Sequence, residues 1–219
     1  MDRRTDILVG VTMAFVIIGV TLAGLVLHWP WLFSAIAWLM IAIYVVYIIA
    51  TKNKLLLNLL IFALACSLPQ LLTDWYHARY VNTLVYDYTL FRVWETPDYI
   101  IAGWGFSFLQ IGYVVLRLKP RLGAVATTLL FAIGGAILHS WYEEMAYRAN
   151  AWRYVNAQMV PGTHVSLWVA ISFAFIIATI CLLLYWLEKR KHWGWWFLGG
   201  LINSTGIFVY AAIAVALLR

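Results

Sequence analysis

The stretch ILVGVTMAFVIIGVTLAGLVLHW, residues 7–29, decides the fold. It holds no Asp, Glu, Lys or Arg, and a helix needs about 20 apolar residues to cross a bilayer. It is longer than the apolar region of a secretory signal and lacks a small-residue cleavage pattern, so it reads as a first membrane span. Similar runs follow at about 31–50, 55–76, 98–118, 122–145, 164–187 and 193–218. Composition agrees, with 65% hydrophobic and 11% charged residues, against roughly 25% charged in an average soluble domain. The expectation is an all-α membrane protein of about seven transmembrane helices, one polytopic domain over residues 1–219. The third span is the least regular. Pro69 and Gln70 interrupt it, which in a membrane helix means a kink whose freed backbone groups neighbouring helices take up.

Charge orients the chain. Ten of the fifteen basic residues (Arg3, Arg4, Lys52, Lys54, Arg117, Lys119, Arg121, Lys189, Arg190 and Lys191) fall on one side of this topology. Arg79, Arg92, Arg148, Arg153 and Arg219 fall on the other. The positive-inside rule then puts the amino terminus in the cytoplasm and the carboxyl terminus outside. The net charge of +6 is thereby absorbed by topology and is not read as nucleic-acid binding. Trp193, Trp195 and Trp196 beside the Lys189–Lys191 cluster read as an interfacial anchor. Cys66 and Cys181 lie in apolar spans and read as small core residues. Asn203-Ser204-Thr205 matches a glycosylation acceptor, yet sits mid-span, where hydrogen bonding between helices is its more sensible use. The last span contains no lysine to form a retinal Schiff base.

Six of the nine acids, Asp74, Asp87, Glu95, Asp98, Glu143 and Glu144, gather at the outer ends of helices three to five or in the loop after helix three. Asp2, Asp6 and Glu188 are on the cytoplasmic side. Salt bridges tying the outer loops to helix ends would account for the outer arginines. They account less well for Asp74, His139, Glu143 and Glu144 at the ends of apolar helices, because ionisable groups at membrane depth are costly and usually face a cavity or a partner. Asp74 and His77 are three apart and His139 and Glu143 four apart, so each pair can share a helical face. Desolvation and a neighbouring carboxylate favour a protonated carboxyl, the makings of a general acid. Glu144 is expected to matter more than Glu143, since Tyr147, Arg148 and Ala151 extend its face toward the aromatic loop. The 13 Trp, 13 Tyr and 11 Phe crowd the same region, including Trp75, Tyr86, Tyr88, Trp104, Trp152, Tyr154 and Trp168. Interfacial belts take up part of that aromatic content. The remainder suits a cavity for a hydrophobic ligand and a cation.

Two stretches repeat one pattern. Tyr86-Asp87-Tyr88, Pro97 and Trp104 are echoed by Trp152-Arg153-Tyr154, Pro161 and Trp168, with seven residues from Pro to Trp in both. Each follows a helix ending in acid. The pattern suggests two three-helix units plus one helix, facing each other across a shared pocket. It resembles, over residues 55 to 187, the membrane-embedded carotenoid cyclases and carotenoid hydratases, and more distantly the small integral-membrane terpene cyclases. The resemblance implies that an acid from each half protonates an isoprenoid double bond or epoxide, and that ring closure or water captures the carbocation. It points to Asp74, where a Glu is more usual, in the first half and to Glu143 or Glu144 in the second.

The leading reading is an acid-catalysed isoprenoid (carotenoid or terpenoid) cyclase or hydratase. Asp74, His139, Glu143 and Glu144 are its catalytic candidates, and Trp75, His77, Tyr86, Tyr88, Trp104, Trp152, Tyr154 and Trp168 its substrate-binding candidates. Such chemistry needs no cofactor and no metal, and its partners are an isoprenoid or lipid ligand and the membrane lipids. One alternative is a metal-dependent membrane lipid hydrolase drawing ligands from His77, His139, His164, Asp74 and Glu143. Another is a non-enzymatic small-solute transporter or lipid-binding protein. Reporters fused at Lys52 or Lys119 are expected to read cytoplasmic and one fused after Arg219 external; a cytoplasmic carboxyl terminus would mean that the span count is wrong.

Overall fold

Seven helices carry the described chain, residues 3–218 of a computed structural model. Asp2 and Arg219, placed by charge on opposite sides, lie outside the described residues. The helices are α1 (Arg3–Leu22), α2 (Trp31–Thr51), α3 (Lys54–Trp75), α4 (Asp98–Leu122), α5 (Ala124–Arg148), α6 (Leu167–Leu187) and α7 (Trp193–Leu218). α1 runs on into a π turn at Ala23–Leu27 and α3 into another at Tyr76–Tyr80. All seven are long and apolar enough to cross a membrane, the architecture of a multi-pass membrane protein. α3 continues through Pro69 and, with its π turn, reaches Tyr80. The sixth helix starts at Leu167 because residues 158–166 form a tight loop, closed by a bridge between Met159 and Ser166.

Helix ends follow local chemistry. The Asn53 side chain accepts the Leu56 amide (3.1 Å) and so caps α3. Gly123, at φ 80°, separates α4 from α5, a conformation that glycine adopts without steric cost. At this basic end Arg117 pairs with Asp6 (2.9 Å) and Lys119 with Glu188. Deeper in the bundle, Thr12, Tyr44 and Gln110 form a buried hydrogen-bonded triad joining α1, α2 and α4 at 2.6–3.2 Å. Polar groups at that depth need partners on neighbouring helices.

α3 is the central helix, packed chiefly on α4 and α7, while α5 leans on α6. Asn203 of α7 donates to Cys66 Sγ of α3 at 3.6 Å, and Cys66 and Cys181 are free and buried. Trp196 departs from the expected anchor. It is 2% exposed and donates from Nε1 to the Arg190 carbonyl (3.2 Å), while Arg190 lies over the rings of Trp186 and Trp195. Rotation along α7 turns Trp196 inward and leaves Trp193 and Trp195 exposed.

At Gly200 the backbones of α3 and α7 nearly touch: a Cβ there would lie 2.3 Å from the Phe62 carbonyl and 2.6 Å from Ala65 Cβ. Gly200→Ala is expected to lower the thermal midpoint in detergent, at a cost of about 1–3 kcal/mol for overpacking. Gly10→Ala, with nothing within 4 Å, should leave it unchanged or raise it.

Candidate functional site

At the end opposite the basic loops, two short strands lock the outer segments together. β1 (Leu84–Tyr86) pairs antiparallel with β4 (Trp152–Tyr154), in register Leu84↔Tyr154, Val85↔Arg153 and Tyr86↔Trp152. The repeated motifs therefore meet. Asp87 and Arg153, the middle residue of each, form an ion pair at 3.2 Å. The Tyr99 hydroxyl donates to the carbonyls of Tyr88 (3.0 Å) and Ala151 (3.2 Å), tying both loops to α4. A second hairpin, β2 (Arg92–Val93) with β3 (Thr96–Pro97), leads into α4.

Beneath this cover lies a cavity of about 390 Å³. It runs between α1, α3, α4, α5, α6 and α7, and its deeper walls are uncharged and mostly apolar, with Val16, Ile111, Phe131 and Ile177 among them beside Gln110. Its outer end carries Asp74 and His77 from α3, His139 and Glu143 from α5, and the aromatic side chains of Tyr86, Trp104, Trp152, Tyr154 and Trp168. Trp104 and Trp168, the tryptophans seven residues after each motif proline, both line it.

The two acids are held by parallel devices. Gln70, one turn before Asp74, donates from Nε2 to Oδ1 at 2.9 Å. His139, one turn before Glu143, places Nε2 3.0 Å from Oε1. Their surroundings then diverge. Glu143 Oε2 also accepts the Trp152 indole N–H (2.6 Å) and the Tyr154 hydroxyl (2.8 Å), so both of its oxygens are engaged. Asp74 is 2% exposed; its carboxyl also lies beside the Thr96 and Tyr86 hydroxyls, and its Oδ2 makes no hydrogen bond of full geometry among the described residues. The same holds for Gln70 Oε1, Thr73 Oγ1, His77 Nε2 and Trp168 Nε1 on that wall. Buried polar atoms are usually satisfied, so the exceptions on this cavity wall are groups that a water or ligand in the cavity would satisfy. His77 is fixed there by Thr83 Oγ1, 3.0 Å from Nδ1, and by stacking on Trp168 at 3.9 Å and 3°. His139 stacks likewise on Phe173, at 3.6 Å and 7°.

Three candidates stand apart from the cavity. Glu144 binds Arg148 (2.8 Å) and accepts the His164 amide (2.8 Å), with His164 Nδ1 at 3.1 Å. It ties the loop before α6 to α5, the salt-bridge role considered for the outer charges, which Arg79–Glu95 also fills. The helical turn that buries Glu143 against Trp152 carries the adjacent residue away, so that of the two glutamates Glu143, and not Glu144, lines the cavity. Trp75 stacks on Trp94 (5.6 Å) and Tyr88 on Tyr99 (6.2 Å), both outside the cavity wall. Conversely, Gln70, Thr73, Tyr99, Tyr142 and Phe173 line it without having been singled out as site residues. Gln70 was legible: its spacing to Asp74 matches that of His139 to Glu143.

Among the described residues no three His, Cys, Asp or Glu side chains converge as a metal-binding group, and His164 lies on the outer loop against Tyr147. This removes the ligand set from which the hydrolase reading was built.

The model of a family described as a domain of unknown function, DUF6989, matches residues 71–218. The chain belongs to that family. The match takes in both acids, both paired strands and helices α4 to α7. No curated protein and no solved structure matches the chain.

Tyr86 and Tyr154 sit in the outer loops, and burial pushes both phenols well above the usual tyrosine range, helped by the carboxylates of Asp74 and Glu143 respectively. They remain donors at neutral pH. Because the fold favours the neutral phenol, this stabilisation is fully present below pH 10.0, the ordinary tyrosine value, and is lost as pH rises beyond it. Thermal midpoints measured across that range should fall on the alkaline side, and less steeply in Tyr154→Phe; identical alkaline slopes would contradict a neutral, buried Tyr154.

Proposed function

We propose that this protein is an acid-catalysed isoprenoid cyclase or hydratase, protonating a double bond of a carotenoid or terpenoid chain within the membrane. One observation carries the reading: a carboxyl from each half of the bundle lies at the polar end of one elongated, aromatic-lined and otherwise apolar cavity. Asp74 is the proton donor. Its carboxyl can deliver a proton to an alkene carbon, leaving a carbocation. Glu143, held by Trp152, Tyr154 and His139, serves as the fixed counter-charge. Such preorganised charge is usually the largest contribution to catalysis. The faces of Trp104, Trp168 and Tyr86 add quadrupole stabilisation of the cation, about 2 kcal/mol or more for a desolvated contact. Ring closure or capture by water then ends the reaction. The amino terminus is cytoplasmic and the acid end faces outward, in keeping with the positive-inside rule.

The test uses a heterologous host accumulating acyclic carotenoids and terpenes, profiled with and without the protein. Asp74→Asn and Glu143→Gln should each lose at least roughly a hundredfold in product formation, while Glu144→Gln keeps the product. Unchanged product with both cavity acids replaced, or no product from the unmodified chain, would overturn the reading.

A further inference from the structure

α5 presents Leu130, Gly134 and Leu138 along one stripe, four residues apart, and all three line the cavity. All three are also exposed, Leu130 at 52% and Leu138 at 43%, and they border Ile133 and Ile137, which are exposed without lining the cavity and so belong to the outer surface of the bundle. Opposite them on α1, Ile17 lines the cavity too and is 41% exposed. Residues that belong both to a cavity wall and to the lipid-facing surface mark a breach in that wall. The π turn that continues α1 packs closely on α5 toward the outer end, where a Cβ on Gly24 would lie 2.8 Å from the Met145 carbonyl. Below that pin α1 itself touches α5 more sparsely, leaving a slot. Gly134 notches its α5 side, since a Cβ there would meet nothing within 4 Å.

We infer that the slot between α1 and α5 is a lateral portal, through which a linear apolar chain dissolved in the bilayer enters end first and out of which its remainder extends. This rests on the function proposed above and names the form of its substrate. From Leu130 to Glu143 the cavity follows thirteen residues of α5, about 20 Å at 1.5 Å per residue. A short chain fits wholly inside. A longer one reaches the acids only if its tail passes the Gly134 notch into lipid, where it stays solvated by hydrocarbon. The deep walls carry no charge to hold an ionic head, so the occupant is a neutral hydrocarbon chain rather than a phospholipid.

Two probes separate the cases: squalene, a long linear isoprenoid, and farnesol, a short one, each added to the purified full-length protein while the thermal midpoint is read. Both should raise the midpoint of the unmodified protein. Gly134→Phe, which fills the notch, should lose most of the squalene shift and keep the farnesol shift, and Ile17→Trp, from the α1 side of the slot, should do the same. A squalene shift that survives in both variants overturns the portal and leaves the proposed function standing. If neither probe stabilises the unmodified protein, the cavity is not an isoprenoid site and both inferences fall together.

Discussion

A carboxyl group at membrane depth must be neutral, paired or hydrogen-bonded, because an isolated charge there is costly. The outer half of this bundle is organised around meeting that demand twice, and it does so unequally. Glu143 is met in full by His139, Trp152 and Tyr154. Asp74 receives one well-formed bond, from Gln70, with the Thr96 and Tyr86 hydroxyls beside its carboxyl in looser geometry. That difference in surroundings is the basis of the proposed roles, Asp74 as proton donor and Glu143 as its held partner.

The cover of the cavity follows from the same demand. Trp152 and Tyr154 reach Glu143 only because β4 is held against β1, and β1 brings Tyr86 to the Asp74 side. Strands of three residues have little stability of their own. Asp87–Arg153 and the Tyr99 hydroxyl hold them in place, as does Glu144 through His164 for the loop that follows. The charges outside the cavity thus fasten its cover.

The sequence made the seven helices legible because bilayer thickness imposes a length that any apolar run must meet. It made Asp74, His139 and Glu143 legible because ionisable residues stand out in such runs. Helix rotation was not legible. Glu143 and Glu144 are adjacent, about 100° apart around the axis, and α5 is apolar on nearly every side, so no periodic pattern said which of them faced inward. Trp75 and Trp104 were equally indistinguishable, since an interfacial tryptophan and a cavity tryptophan have the same composition signal. The pairing of β1 with β4 joins segments far apart in the chain and leaves no local trace beyond the repeated aromatic motif.

The central claim is that Asp74 transfers a proton to carbon. Membranes carrying the protein can be incubated with acyclic isoprenoid substrate in heavy-water buffer and the products analysed by mass spectrometry. The account predicts carbon-bound deuterium in the product of the unmodified protein and none in isoprenoid recovered from Asp74→Asn membranes; a product free of carbon-bound deuterium, or equal labelling by the Asp74→Asn variant, would contradict it.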